Sequence, residues 1–395
     1  MMKNKTFYPH EKQYSILLIF FFAVFFSLFI CACREDGTSD HFFGENPPPD
    51  PKPPAADWKM VGDIDFMLKP GRAPILHFDY LVPHLAFINT GNFSKVSVGR
   101  FDGFLWRLVN ESGASFTSAD YYSFVIYKNV MYVAYTESSE ENRISVTGFI
   151  NNQWQYIGKP GFTHKKANYM DFKISDRTND KFYIAYCNGD NFDRPYAFMR
   201  YGEQWAQLGA AAISSAGAKE IKLAVLEDTP YVAYIEKTAV NKISVLKYNK
   251  SLAIWEHIGG QAFSPAYAAH LNFRAVEGRL YIAYCDGSDN SKLKAAYYDG
   301  SAWKSADGGG ISDGPAAYCS LSDYNGVLYA AYVDYTKEKR ITVMSNAGGK
   351  WAALGRRNFS STDVEDISLE INQNVPYVAY RDKLDRDKIM VWKYE

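Results

Sequence analysis

A four-residue segment, Tyr-Val-Ala-Tyr or a close variant of it, occurs seven times in this chain of 395 residues. A Trp follows the closing aromatic residue after 19 residues in five of the first six copies. The resulting period of 48 residues indicates one repeat architecture, because unrelated domains would not share such a spacing. The seven closing aromatic residues are Phe87, Tyr135, Tyr186, Tyr234, Tyr284, Tyr332 and Tyr380.

One complete unit, Ile221 to Gly259, contains four short segments with strand character. Residues 221–225 alternate, residues 230–235 are an apolar run, and residues 242–248 and 255–259 are two further strand candidates. Helical periodicity is missing from the unit. Four short strands in 40–50 residues predict the blade of a β-propeller. Neighbouring blades would cover both faces of the second strand, which explains why it is apolar at every position.

The two ends of the repeat region are complementary. The last unit has strands over 367–371, 376–381 and 388–394 but lacks its Trp strand, whereas residues 58–62 form a Trp strand with no unit before it. We therefore predict an all-β, seven-bladed propeller over 58–395, with four strands per blade. Its N-terminal strand completes the last blade and leaves no open sheet edge. An open solenoid is the alternative, but it would need distinct capping units.

Composition and charge agree with this fold and exclude one class of partner. Aromatic residues make up 16% of the chain, which suits strands that pack large flat side chains between sheets. The 43 basic and 44 acidic residues nearly cancel. Nucleic-acid binding would need a basic surplus on one face, so we expect no nucleic-acid partner.

The repeat region contains three cysteines, Cys187, Cys285 and Cys319, so at most one disulfide can form among them. The first two occupy the same repeat position two units apart, which argues against a bond between them. We expect all three to be buried thiols that act as small apolar side chains.

The N-terminus has the features of an export signal. Residues 1–14 carry Lys3, Lys5 and Lys12, and residues 15–30 form an apolar run. A basic start followed by an apolar segment of this length is typical of a secretory signal, and it is slightly short for a membrane span. An uncleaved signal anchor is the alternative interpretation.

The apolar run ends in Ile30-Cys31-Ala32-Cys33. This segment resembles the lipobox of bacterial lipoproteins, with an aliphatic residue three positions before the lipidated Cys and a small residue directly before it. The resemblance implies that residues 1–32 are a cleaved signal peptide and that Cys33 carries the lipid. Cys31, at the position where the lipobox usually has a small residue, is a mild departure. Lipid chains would anchor the protein in the bacterial outer membrane, facing the periplasm or the cell exterior.

Residues 33–57 have the composition of a tether. They begin with small and polar residues, and residues 47–54 are rich in Pro. Such a sequence forms an extended polyproline II segment that holds a domain away from the bilayer without folding.

Two charged or polar positions recur in all seven units. A carboxylate or amide lies two residues after each closing aromatic, and a basic residue lies eight residues after it. Across a hairpin these positions face each other, so we interpret them as cross-strand pairs that stabilise the hairpin. The alternative is a ring of ligand-binding groups at one mouth of the channel. The ring residues are Asn89, Glu137, Asn188, Glu236, Asp286, Asp334 and Asp382, opposite Lys95, Arg143, Arg194, Lys242, Lys292, Arg340 and Lys388.

The sequence contains no recognisable catalytic or cofactor motif. Its seven His lack metal-ligand spacing, and there is no phosphate-binding loop, nucleophile elbow or sialidase Asp-box. The acidic loop 188–193 could offer oxygen ligands to Ca²⁺, but it lacks the spacing of an EF-hand. We therefore expect no cofactor and no metal.

Over residues 58–395 the chain resembles exported bacterial propeller-repeat lipoproteins, a likeness that rests on the Tyr-Val-Ala-Tyr…Trp unit. The expected function is that of a monomeric, lipid-anchored, non-catalytic scaffold that binds a protein or another envelope component. A lectin-like glycan-binding propeller and a sialidase- or glycosidase-type enzyme are the alternatives. Fold alone cannot decide among these functions.

Overall fold

The computed structural model confirms the predicted fold. Seven four-stranded antiparallel sheets stand in a ring, so the protein is a seven-bladed β-propeller. In six blades the four strands follow one another along the chain from the axis outward, and in the last blade this holds for the inner three strands. The structure describes residues 56–62, 70–175, 180–361 and 363–395.

Three of the sequence-based predictions fall on the N-terminal part of the chain. The signal peptide over 1–32, the lipid-bearing Cys33 and the tether as far as residue 55 lie outside the described residues.

The first strand of each blade lines the axis of the ring. It is nine residues long in six blades, and in those six a β-bulge interrupts its pairing with the second strand. Bulges change the direction of a side chain, and this one recurs near the start of the strand in each of those six blades. The first strands are β2 (Gly71–Asp79), β6 (Tyr122–Tyr127), β10 (Ala167–Ser175), β14 (Ala218–Leu226), β18 (Ala268–Val276), β22 (Ala316–Tyr324) and β26 (Val364–Asn372).

The second strand carries the Tyr-Val-Ala-Tyr segment, and it is the best-buried element of each blade. The central Ala is at most 1% exposed in all seven copies, because sheets pack on both of its faces. A larger side chain there would force neighbouring blades apart. The second strands are β3 (Val82–Asn89), β7 (Val130–Glu137), β11 (Lys181–Asn188), β15 (Thr229–Glu236), β19 (Arg279–Asp286), β23 (Val327–Asp334) and β27 (Val375–Asp382).

The third strand pairs with the second through a short hairpin. The described residues outside the sheets include three single helical turns, Ser138–Glu140, Gly287–Asp289 and Ala347–Gly349. In the described part of the chain no helix is long and apolar enough to span a bilayer. The third strands are β4 (Lys95–Phe101), β8 (Arg143–Ile150), β12 (Arg194–Tyr201), β16 (Ile243–Asn249), β20 (Lys292–Tyr298), β24 (Arg340–Ser345) and β28 (Lys388–Tyr394).

The fourth strand is short, and it forms the outer edge of each blade. In the last blade this strand comes from the N-terminal end of the repeat region, as predicted. The fourth strands are β1 (Trp58–Met60), β5 (Trp106–Leu108), β9 (Gln153–Tyr156), β13 (Gln204–Gln207), β17 (Ile254–His257), β21 (Trp303–Ser305) and β25 (Ala352–Ala353).

The ring closes through β1, which pairs antiparallel with β28. Trp58 lies opposite Tyr394, and Met60 lies opposite Trp392. Trp58 is 3% exposed, and its indole stacks on Phe359 with ring centroids 4.2 Å apart. The prediction that 58–62 completes the seventh blade is therefore confirmed.

In six of the seven blades the recurrent Trp of the fourth strand makes a hydrogen bond to the blade before it. The Trp303 indole N–H donates to the Ile258 carbonyl at 3.2 Å, across the interface between two blades. Gly259 follows that carbonyl with a φ of +69°, and a Cβ there would lie 2.4 Å from Trp303 Cδ1. Only glycine suits both the backbone conformation and the close indole. The bonds of this kind are Trp58–Leu354, Trp106–Val61, Trp205–Ile157, Trp255–Leu208, Trp303–Ile258 and Trp351–Ala306.

The three cysteines of the propeller are free and buried, as expected. The Cys285 thiol donates to the Ala316 carbonyl at 3.0 Å, and the Cys319 thiol donates to the His270 carbonyl at 2.6 Å. They are packed as small side chains between blades, in the manner usual for buried thiols.

The indole contact predicts different costs for two adjacent glycines. Gly259→Ala should lower the free energy of unfolding by about 1–3 kcal/mol more than Gly260→Ala, because it places a methyl group against Trp303. Gly260 also has a positive φ, +94°, but no atom lies within 4 Å of its added Cβ. Urea unfolding of both variants measures the difference. Equal losses would show that Trp303 sets no steric limit at this position.

Candidate functional site

The seven ring residues predicted from the repeat lie at the ends of the second strands, and all are buried. Asp286 lies directly opposite Lys292 in the ladder, which is the register that the spacing predicted. The relative exposures are 0% for Asn89, 1% for Glu137, 5% for Asn188, Glu236 and Asp286, 9% for Asp334 and 7% for Asp382.

The side chains of these residues bond to their own blades instead of the basic residues opposite. Glu236 accepts from the Ser244 hydroxyl at 2.7 Å. Asp286 accepts from the Ser288 backbone N–H at 2.9 Å. Lys292 pairs with the loop carboxylate of Asp289 at 3.3 Å. The expected cross-strand register is thus present, but the expected ionic partner is wrong.

Three other basic residues of the same set also pair with a carboxylate of their own hairpin loop. Arg143 pairs with Glu140, Arg340 with Glu338 and Lys388 with Asp385. Since each long basic side chain reaches into its hairpin loop, the buried carboxylate is left to hold the loop backbone and nearby hydroxyls. These contacts support the structural interpretation of the ring over the ligand-binding one.

The asymmetric part of the molecule is the axial channel. A cavity of about 450 Å³ lies on the axis, lined by side chains of the first strands. One residue from each blade surrounds it at the end where the first strands begin and the second strands end. Six of these seven have a positive φ within the bulge, which is uncommon for residues other than glycine. We call this set the channel collar: Ala73, Tyr121, Tyr169, Glu220, His270, Tyr318 and Asp366.

Aromatic side chains dominate the collar. The rings of Tyr121 and Tyr169 lie 5.1 Å apart, and those of His270 and Tyr318 lie 5.2 Å apart. Burial raises the pKa of Tyr318 to about 12 and lowers the pKa of His270, an effect that the Glu220 carboxylate opposes. At neutral pH the collar therefore offers uncharged hydroxyl and imidazole groups, which both donate and accept hydrogen bonds.

The two carboxylates of the collar bind backbone amides of the next blade. Glu220 accepts from the Leu271 N–H at 2.7 Å, and Asp366 accepts from the Ala73 N–H at 3.1 Å. Asp366 also lies 3.4 Å from the Arg381 guanidinium. Both contacts fix the collar between blades, because each spans an interface.

A second set of seven residues, the channel ring, lies two positions further along the first strands, opposite the central Ala of the second strand. Several of its side chains accept a hydrogen bond from an amide on the free inner edge of the next blade. Ser368 accepts from the Leu76 N–H at 3.0 Å, in an arrangement that satisfies an otherwise unpaired donor. The channel ring consists of Ile75, Ser123, Asp171, Lys222, Asn272, Ser320 and Ser368.

Charged side chains inside the channel are mostly paired. Arg274 lies 3.3 Å from Asp323 and 3.5 Å from Glu370, and Lys173 lies 3.1 Å from Asp171. Burial alone would raise the pKa of Asp171, but nearby Lys side chains and hydrogen bonds outweigh it and lower this pKa. Asp171 is therefore an ionised, fully engaged carboxylate.

The described residues contain no group of three or more His, Cys, Asp or Glu that could hold a metal ion. In the acidic loop 188–193, Asp193 accepts from the Asn168 amide at 2.8 Å and from the Lys237 ammonium at 2.6 Å. Because both of its oxygens are engaged, this loop is held by hydrogen bonds and an ion pair.

The sequence analysis did not single out the collar or the channel ring. Aligning the first strands on the central Ala would have found them, since the residues at these two positions vary in type among blades, whereas the position directly after the channel ring is Leu or Phe in all seven.

No protein-family model matches the sequence, and no curated protein does either. Among solved structures, an ulvan lyase of a polysaccharide lyase family has a TM-score of 0.54 and 10% identity, over 84% of this chain and 95% of the lyase. The Trypanosoma rangeli sialidase has a TM-score of 0.46 and 11% identity, over 83% of this chain and 55% of the sialidase. A lectin of Aleuria aurantia has a TM-score of 0.47 and 14% identity, over 69% of this chain and 90% of the lectin. At 10% identity the likeness to the lyase shows the propeller fold and nothing finer.

Buried histidines predict that the protein loses stability in mild acid. Burial lowers the pKa of His77, whose ring faces Glu370, Lys173, Arg274 and Asp171 in the channel. A histidine with a native pKa below 6.5 stabilises the fold fully above that pH, and its contribution is lost as the pH falls towards the native value.

His77→Gln should therefore reduce the fall in unfolding free energy between about pH 7.5 and pH 5.5. Urea unfolding at the two pH values measures it, with the exposed His164→Gln as control. An unchanged pH dependence in His77→Gln would contradict the assignment.

Proposed function

We propose that this protein is an exported, lipid-anchored propeller that binds a saccharide at the channel collar without catalysing a reaction on it. The observation that carries the proposal is the collar itself, where two pairs of aromatic rings are separated by carboxylates around one opening. At the collar position the residue type differs among the blades, whereas the scaffold positions repeat.

The collar has the chemistry that a sugar requires. The faces of the Tyr121 and Tyr169 rings can pack against the C–H groups of a sugar ring, while hydroxyl and imidazole groups bond to its hydroxyls. The cavity of about 450 Å³ lies within the range usual for small-ligand pockets, roughly 300–1,000 Å³. A polysaccharide lyase shares this propeller fold, which is consistent with a saccharide ligand.

The charged groups of the channel favour binding over glycoside hydrolysis. Hydrolysis uses two carboxylates about 5–10 Å apart that are free to act as acid, base or nucleophile. Three channel carboxylates, Asp171, Asp366 and Glu370, are each paired with a basic side chain. Carboxylates held in ion pairs suit a rigid binding site.

The surface around the collar favours a large ligand. Phe93 is 85% exposed and Phe192 is 82% exposed, and both lie in loops after second strands, at the collar end of the blades. Exposed aromatic side chains mark interaction surfaces, so we propose that the sugar belongs to an envelope polymer or glycoconjugate.

A glycan array probed with the full-length chain in detergent tests the binding proposal. Tyr169→Ala should weaken binding about tenfold or more, because it removes a stacking surface from the collar. Tyr201→Ala, at an exposed position on a third strand, is the matched control and should bind as the native chain does. The proposal would be refuted if the native chain bound no glycan on the array, or if the two variants lost binding equally.

The anchor has a separate test in cells. Cys33→Ser should release the protein from the membrane fraction into the soluble fraction, because a serine cannot carry the thioether-linked lipid. Retention of the variant in the membrane fraction would contradict lipidation at Cys33 and would favour an uncleaved signal anchor.

A further inference from the structure

Hydrogen bonds from channel-ring side chains cap amides on the inner edges of the blades. This ring of bonds has gaps, which are junctions where no side chain accepts from the amide of the next blade. A channel-ring side chain normally accepts from an amide of the next blade, as Asp171 does from the Leu223 N–H at 2.9 Å. Ser320 does the same for the Leu369 N–H at 3.0 Å. An amide in a buried channel that lacks such a partner costs about 1–3 kcal/mol, so each gap requires an explanation.

We number the blades in chain order, from blade 1 (β2–β5) to blade 7 (β26–β28 with β1). Two gaps occur, one after blade 1 and one after blade 4 (β14–β17). At the first gap, Ile75 occupies the channel-ring position that would cap the Phe124 amide of the next blade. At the second gap, Lys222 occupies the position that would cap the Phe273 amide. An isoleucine has no acceptor, and a lysine ammonium has three donors and no acceptor. Among the described side chains, none accepts from either amide, and both phenylalanines line the cavity.

The gap at Lys222 differs from the one at Ile75 because its side chain carries a positive charge. No carboxylate oxygen of the described residues lies within 4 Å of the Lys222 ammonium. Asp171 on the neighbouring blade interacts with the Lys222 charge through space, but its oxygens are bound by Lys173 at 3.1 Å and by the Leu223 amide at 2.9 Å. On Lys222's own strand, Glu220 accepts from the Leu271 N–H. An ammonium and an unpaired amide thus lie on the first strands of two adjacent blades, and both residues line the channel.

We propose that Lys222 and the Phe273 N–H bind the oxyanion of an acidic saccharide, a carboxylate or a sulfate ester. The inference rests on the proposed saccharide site and names its substrate class. Lys222 follows the collar residue Glu220 by two positions, and Phe273 follows His270 by three. A sugar ring held in the collar therefore directs its charged substituent to this pair. Charge-assisted hydrogen bonds to an oxyanion are about twice as strong as neutral ones, which makes the pair a specificity determinant.

One substitution separates this role from a structural one. Lys222→Ser places at the gap the residue that caps the amide in blades 6 and 7. It should close the gap and leave the thermal midpoint unchanged or higher, while it removes the ammonium. Lys247→Ser, at an exposed position in the same blade, is the control.

Calorimetric titration of the full-length chain in detergent should use D-glucuronate, D-glucose 6-sulfate and D-glucose. We expect at least one acidic sugar to bind about tenfold more tightly than glucose, and Lys222→Ser to abolish that preference. The tighter of the two acidic sugars identifies the anion. The control variant should keep the preference of the native chain.

The outcomes distinguish the two proposals. If all three sugars bind with the same affinity and Tyr169→Ala weakens their binding, the saccharide site at the collar is supported and the oxyanion site is wrong. If Lys222→Ser keeps the preference for the acidic sugar, Lys222 does not bind it. If no sugar binds the native chain, the saccharide function fails together with this inference.

Discussion

The hydrogen-bonded pairing of β1 with β28 is the constraint on which the rest of the structure depends. It supplies the fourth strand of the last blade, and it brings the two ends of the repeat region together. Blade 7 then packs on blade 1, where Phe78 and Tyr377 lie 4.8 Å apart. Every second strand has both faces covered only when the ring is closed, and the axial channel exists only when seven first strands surround it.

The repeat and the site are built from different residues. Positions that repeat serve the scaffold: the central Ala allows close packing, the Trp links blades, and the ring carboxylates hold loops. Positions that vary lie on the first strands and face the axis. Because all seven first strands meet at one channel, residues of five different types at equivalent positions become neighbours in the collar. An asymmetric binding site thus arises without disturbing the packing that the repeat maintains.

Sequence predicted the architecture because packing between blades imposes a strict spacing on it. The orphan Trp strand at Trp58 was sufficient to predict closure. The ionic partners were predicted wrongly because register fixes where backbones lie, whereas long side chains such as Arg143 can reach other acceptors, here Glu140. The collar was missed because it depends on a bulge, which moves Tyr169 or His270 to the channel at a position where strand alternation gives no signal.

Native-state hydrogen exchange at Val61 tests the closed ring most directly. The Val61 N–H donates to the Val391 carbonyl at 2.8 Å across the junction of the two chain ends. The Ile258 N–H makes the equivalent bond to Val245 at 3.0 Å inside a continuous blade. A closed ring predicts that the two amides exchange at similar, slow rates, because both open with their blades. Exchange of Val61 as fast as an exposed loop amide, with Ile258 still protected, would contradict the closure.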